Sequence, residues 1–243
     1  MRFRGQLALA SALLACVIAM PAEAGIVPYV RLDYGSNQLQ MHEGNNLIEQ
    51  AEASFKAQGL PAEFRKVGAG LGPSGSVGLW LFPGFRIGAT YSYLRSVRTN
   101  HLHVPGQLFY ADDLDFRMTE VGGEAAVRFT RLLGFTLGAN VAKGRSQLIE
   151  GYSAEDASGQ LYQDATANGS KTTYGAFLGF DQTNPSGVAG FIRAGFQYRN
   201  MGSLPSQLVI SDGTTTTQAT GNTIPLDYGG FYLKLGIGYD LGH

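Results

Sequence analysis

Eight separate stretches of this chain alternate apolar and polar residues at a period of two, all in the same sense. A pattern of that kind is a strand signal, and it assigns one whole face of each strand to one environment. The first stretch sets Pro28, Val30, Leu32 and Tyr34 against Tyr29, Arg31, Asp33 and Gly35. The second runs from Lys66 and Val67 to Leu81, with glycines on its polar face. The third sets Phe85, Ile87, Ala89, Tyr91 and Tyr93 against Arg86, Gly88, Thr90 and Ser92. The fourth opposes Val121, Ala125, Val127 and Phe129 to Glu120, Gly122, Glu124 and Arg128. The fifth centres on Leu137 and Val141, the sixth on Ala176 and Leu178, the seventh on Ile192 and Phe196. The eighth sets Phe231, Leu233, Leu235, Ile237, Tyr239 and Leu241 against Tyr232, Lys234, Gly236, Gly238 and Asp240.

The connections alternate as well. Three are short: Pro83-Gly84, residues 131–134, and residues 183–187. Four are long and polar: 37–63, 97–116, 145–171 and 200–225. Short and long connections taking turns is the plan of an up-and-down barrel with short periplasmic turns and long outer loops. Composition then decides which face is outside. The chain carries 34 Gly and is 15% charged, against about 25% for a soluble domain. A polar face that is about half glycine cannot serve as a charged coat in water, but small residues beside large polar ones fit the inside of a narrow barrel. The apolar face therefore meets lipid. Aromatic residues at two depths fit the interfaces: Trp80, Phe82, Phe85, Phe129, Phe135, Phe180 and Tyr239 toward the short turns, and Tyr34, Tyr91, Tyr93 and Tyr198 toward the long loops. Trp80 and Phe82 are out of phase with the apolar face of their stretch. The fold class expected is all-β, an eight-stranded antiparallel up-and-down transmembrane β-barrel.

The first 24 residues read as a signal peptide: Arg2 and Arg4, an apolar run from Leu7 to Ala19, and Ala22-Glu23-Ala24 as a small-x-small cleavage site. Residues 25–243 are then the barrel. Without Arg2, Arg4 and Glu23 the chain holds 16 Lys+Arg and 18 Asp+Glu, a net charge of −2. That near-balance excludes a basic nucleic-acid binder. The only cysteine, Cys16, lies in the leader, which excludes disulfides and Cys-based zinc sites from the mature chain. Leu13-Leu14-Ala15-Cys16 is a loose lipobox, but the apolar run continues past it to the cleavage site.

The leader, the eight stretches and the closing Lys234-Leu-Gly236-Ile-Gly-Tyr239-Asp-Leu241 resemble the outer-membrane β-barrel superfamily of OmpA-type transmembrane domains, OmpW and the opacity porins. Lys234, Gly236, Tyr239 and Leu241 match that superfamily's C-terminal assembly signal. The departure is Gly242-His243, placed where the superfamily usually ends on an aromatic. The resemblance implies insertion by the barrel-assembly machinery, both termini in the periplasm, contact with outer-membrane lipid and lipopolysaccharide, and a monomer. No wall-tethering domain is expected after the barrel, so the resemblance does not imply the wall-tethering role of full-length OmpA.

Motifs that could carry chemistry are thin. Gly70-Leu-Gly72-Pro-Ser-Gly75 is a literal G-x-G-x-x-G, but strand pattern continues beyond it where a nucleotide site needs a helix. His101 and His103 lack a third ligand, and Asp112, Asp113 and Asp115 lack the spacing of a calcium loop. No Ser-His-acid set falls at a strand end, so no catalytic residues, cofactor or metal are expected. Asn46, Glu49 and the stop Gly59-Leu60-Pro61 delimit a helix with the stripe Leu47, Ile48, Ala51 and Phe55. The rim is the simpler place for it, a lid over the mouth the other. Asp212-Gly213 marks a hairpin turn that would carry the last two strands above the membrane.

The inward charges Arg31, Asp33, Glu120, Glu124, Arg193 and Lys234 are expected to form one lumen cluster, with the cations reaching Glu124. An eight-stranded interior is only wide enough for side chains to fill. Such a cluster plugs the barrel, and breaking it should raise conductance. Two functions remain open on these residues: a structural or surface-interaction protein, or a small porin or OmpW-like conduit for hydrophobic molecules. A lipid A-modifying enzyme is a distant third.

Overall fold

The computed structural model describes residues 26–39, 41–82, 84–106, 108–129, 134–156, 159–211 and 216–241. The leader, the Asp212-Gly213 turn and Gly242-His243 lie outside them. Ten strands and one helix follow in chain order: β1 (Val27–Gln38), α1 (His42–Ala57), β2 (Ala69–Phe82), β3 (Phe85–Val104), β4 (Leu108–Arg128), β5 (Phe135–Asp156), β6 (Gly159–Thr183), β7 (Val188–Tyr198), β8 (Asn200–Ser211), β9 (Thr216–Asp227) and β10 (Gly230–Asp240).

Eight of these strands close a ring in the order β5-β4-β3-β2-β1-β10-β7-β6, with β5 pairing back to β6. Every pairing in the ring is antiparallel. Closure removes the free edges that an open sheet would present. The expected barrel is therefore present, and its faces have the expected sense. Leu32 is 61% exposed, Leu178 65% and Ile237 68%, whereas Arg31, Glu124 and Arg193 point inward and are buried. An apolar belt that continuous has no counterpart on a water-facing surface.

The strands run further than expected. β3 and β4 stay paired from Phe85↔Val127 to Val104↔Leu108, and β5 and β6 from Phe135↔Phe180 to Asp156↔Gly159. Residues 97–116 and 145–171 are thus long hairpins in place of loops. β8 and β9 form the expected hairpin above β7 and β10, and β8 lies against the outer part of β6. The second strand begins at Ala69, and Val67 is buried in the core above it.

What changes along these long strands is residue type, not phase. Near the short turns the inward positions are charged (Arg31, Arg86, Glu124, Asp181, Asp240), small (Ser76, Ala126, Thr136, Gly238) or aromatic rings packed on those charges (Tyr29, Trp80, Phe177, Phe191). Further out they become Leu94, Phe116, Met118, Leu148 and Met201, all nearly fully buried, while Arg95, Arg117 and Arg145 take the outward positions. Leu39, Met41, Val67, Leu114, Ala167 and Tyr228 complete this apolar cluster, with the rings of Phe116 and Tyr228 4.0 Å apart. The lower storey is built for lipid outside and ions inside. The upper storey is built like a water-soluble domain.

Helix α1 closes the top. Ile48, Ala51 and Phe55 pack with Phe64 against Leu102, Tyr110 and Tyr152, inward residues of β3, β4 and β5. The Phe55 and Tyr110 rings lie 5.0 Å apart, and Phe64 stacks on Tyr110 at 5.2 Å. The helix therefore sits over the mouth and not on the rim. It also starts earlier than Asn46: the N-cap position is Met41, which makes no side-chain capping bond. Asn45, inside the first turn, instead trades hydrogen bonds with the Val67 backbone at 2.9 and 3.0 Å, which fixes the helix to the chain entering β2. The stop holds, with Gly59 in the left-handed region at φ +77°.

Candidate functional site

The inward face of the lower storey is the only described part of the molecule where many charged side chains converge, and it resolves into three layers. Nearest the short turns, Arg31 pairs with Asp240 at 2.6 Å. Asp240 also accepts hydrogen bonds from Thr183 Oγ1 at 2.9 Å and Trp80 Nε1 at 3.5 Å. Trp80 is thus an inward residue, a correction to its place in the lipid-facing ring. Its period-two phase points inward, and its indole N–H finds a carboxylate there. The Arg128 guanidinium lies 4.4 Å from its ring centroid and that of Arg86 5.4 Å.

In the middle layer Glu124 is the hub. Arg193 reaches it at 3.2 Å and Arg86 at 3.6 Å, and Tyr29 donates its hydroxyl to it at 3.1 Å. Arg86 is also paired with Asp181. Arg193 packs over the rings of Phe191 and Phe177, 4.6 and 5.1 Å from their centroids. In the outermost layer Arg199 donates to both oxygens of Glu120, at 3.1 and 2.9 Å, and to Asn37 at 3.2 Å. Ser92 donates to Glu120 at 3.0 Å. Lys234 donates to Ser74 at 2.6 Å and lies 3.6 Å from Asp33, which in turn accepts from Ser74.

All six expected residues, Arg31, Asp33, Glu120, Glu124, Arg193 and Lys234, are in this network. The expected pairing is corrected: of the three cations foreseen at Glu124, only Arg193 arrives. Arg31 lies across from Gly238 while Lys234 lies across from Gly35, four residues further out along β1, so Arg31 meets Asp240 and Lys234 meets Asp33. Sequence reasoning misses Arg86, Asp181, Arg199 and Asp240 as members. Their inward phase is legible, but their partners depend on the stagger between strands. Between the layers a void of about 40 Å³ remains, room for a few water molecules.

The other candidates are placed as follows. Gly70 and Gly72 lie within β2, and a Cβ on Gly72 would come within 1.9 Å of the Tyr93 carbonyl oxygen, so strand packing accounts for that glycine. His101 is outward, 3.6 Å from Asp113. Gly236 and Lys234 face the lumen, Tyr239 faces lipid at 44% exposure, and Leu241 follows the end of β10.

Above the membrane two sets of carboxylates respond oppositely to pH. Hydrogen bonds from Arg95 and Arg117 hold the outward Asp115 down at about 2. Inside the upper storey, burial pushes Asp112 and Glu150 up, each opposed by the single Arg98. A raised folded-state pKa means that the native state binds protons more tightly than the unfolded chain. Stability from this pair is full at low pH and falls as pH rises through the raised values. Glu150→Gln is therefore expected to raise the melting temperature near pH 8 by a few degrees and to change it little only below the ordinary carboxylate range, at about pH 4 or lower. Equal shifts at both pH values would contradict the assignment.

No family model matches the chain, and no curated protein matches it. Solved structures do. The chain is similar to a major outer membrane protein of Thermus thermophilus (10% identity, TM-score 0.48, covering 89% of this chain and 99% of that one). It is similar to Ail, the attachment invasion locus protein of Yersinia pestis (13%, 0.44, 89% and 99%). It is also similar to the outer membrane protease OmpT of Escherichia coli (10%, 0.45, 93% and 100%).

Proposed function

We propose that this chain is a non-conducting barrel of the outer membrane, with its short turns and both termini on the periplasmic side, whose long hairpins are the part that meets the outside. The observation that carries this reading is the double obstruction of the lumen. Three layers of paired charges fill the lower storey, and a packed apolar cluster with a helix above it fills the upper one. A pore selective for one sign of ion is built by a ring of charged side chains of the opposite sign. Here the inward cations Arg31, Arg86, Arg128, Arg193, Arg199 and Lys234 are interleaved with Asp33, Glu120, Glu124, Asp181 and Asp240. The role is structural or a matter of surface contact, not transport and not catalysis. Insertion by the barrel-assembly machinery through Lys234, Gly236, Tyr239 and Leu241, and life as a monomer surrounded by outer-membrane lipid and lipopolysaccharide, belong to the same proposal.

The test is in two parts. The purified mature protein should need detergent and should migrate differently in gels before and after boiling. In planar bilayers it should give no steady channel. A protein soluble without detergent would defeat the barrel in lipid, and a large steady conductance would move the reading to a small porin.

A further inference from the structure

Resting on that membrane reading, we propose that the lipid-facing wall formed by β3, β4 and β5 holds one acyl chain of a phosphate-bearing lipid from the outward leaflet, with the phosphate on Lys143 and Arg145. The wall there is a shallow trough of about 850 Å³. Ala89, Gly123, Ala125 and Ala139 form its floor, Ile87 and Val141 rise beside them, and Val77 and Leu79 of β2 and Tyr174 of β6 bound its two flanks. A Cβ on Gly123 would meet nothing nearer than the Gly88 carbonyl oxygen at 3.5 Å. Internal packing thus does not require glycine at that position, and its absent side chain leaves the floor open.

The strand register leads from this trough to a cationic patch. Ala89, Gly123 and Val141 lie side by side across three strands. The next outward row is Tyr91, Val121 and Lys143, the next Tyr93, Thr119 and Arg145, and the next Arg95 and Arg117 with Gln147. Apolar floor, tyrosines and cations therefore follow one another outward along the same strands. Asp115, one row beyond, engages Arg95 and Arg117 at 2.8 and 2.5 Å. Lys143 and Arg145 are exposed and make no ion pair among the described residues. Two uncommitted cations above an apolar trough match the charge order of a phosphorylated lipid: anionic head outside, hydrocarbon beneath. The depth of the trough, below Tyr91 and Tyr93, selects hydrocarbon over a soluble partner.

The mature barrel is placed in nanodiscs doped with bisphosphorylated lipid A or with the same lipid dephosphorylated, and the lipid retained is read by native mass spectrometry. Wild type should retain the phosphorylated form about tenfold better or more. Lys143→Gln with Arg145→Gln should abolish that preference. Gly123→Leu should cut retention of both forms, and Ala139→Leu serves as a second filling variant should the first not fold. A boiling-dependent gel shift in every variant shows that the barrel is intact, so loss of that shift in wild type defeats the membrane reading and not this inference. Equal retention of the two lipids by wild type, an undiminished preference in the double variant, undiminished retention in the folded filling variants, or a lipid-free barrel dimer would overturn it.

Discussion

Glu124→Ala is expected to lower the melting temperature of the barrel more than any other single carboxylate removal in the lumen. Glu124 is the one acid that serves two guanidiniums and a tyrosine among the described residues. Its loss leaves Arg86 with Asp181, but leaves Arg193 buried with only the faces of Phe177 and Phe191 for company. Removing one partner of a buried pair costs about 3–5 kcal/mol, because the remaining charge stays desolvated. Spread over a chain of this size, that is a drop of roughly 10 °C. Glu124→Gln keeps an acceptor for Tyr29 and should fall between the two. Glu63→Ala, at an exposed position before β2, should be silent. Thermal unfolding in detergent, followed by circular dichroism, measures all three. An unchanged midpoint for Glu124→Ala would mean that the ionic layers contribute nothing to holding the barrel shut.

The second large effect is on conductance, and it appears only in combination. Two obstructions in series leave a pore closed until both are breached. Glu124→Ala loosens the charged layer but leaves Phe116, Met118 and Tyr228 packed above it. Phe116→Ala removes a fully buried ring from the upper cluster at about 3–5 kcal/mol, yet leaves the ion pairs below. Each alone should give traces close to wild type, and the double variant should open frequent channels in planar bilayers. This revises the simpler expectation that breaking the ionic cluster suffices. Full opening by Glu124→Ala alone would mean that the apolar cluster does not seal the barrel.

Much of this architecture is legible from residue order. Period-two alternation assigns Arg31, Glu124 and Arg193 to one face and Leu32, Leu178 and Ile237 to the other, and the barrel keeps every one of those assignments. It also puts Trp80 in the inward phase, and ring placement by analogy with aromatic girdles misleads where the phase does not. The long hairpins escape such a reading because the pattern in β3–β6 inverts its meaning halfway. Leu94 and Phe116 occupy the same inward phase as Arg86 and Glu124, but above the membrane the outside is water, so the apolar residue moves to the inward position. Taken as one continuous lipid-facing pattern, those residues look like the end of a strand.

Residue order alone sets the number of membrane strands, their faces and the charge content of the lumen, because a strand alternates its side chains whatever its neighbours are. That Arg31 meets Asp240, that Lys234 meets Asp33, and that α1 lies across the mouth are settled by the closed ring. Those outcomes depend on how far each strand is staggered against the next around the barrel. Stagger is a property of the whole circuit of hydrogen bonds and is written in no single strand.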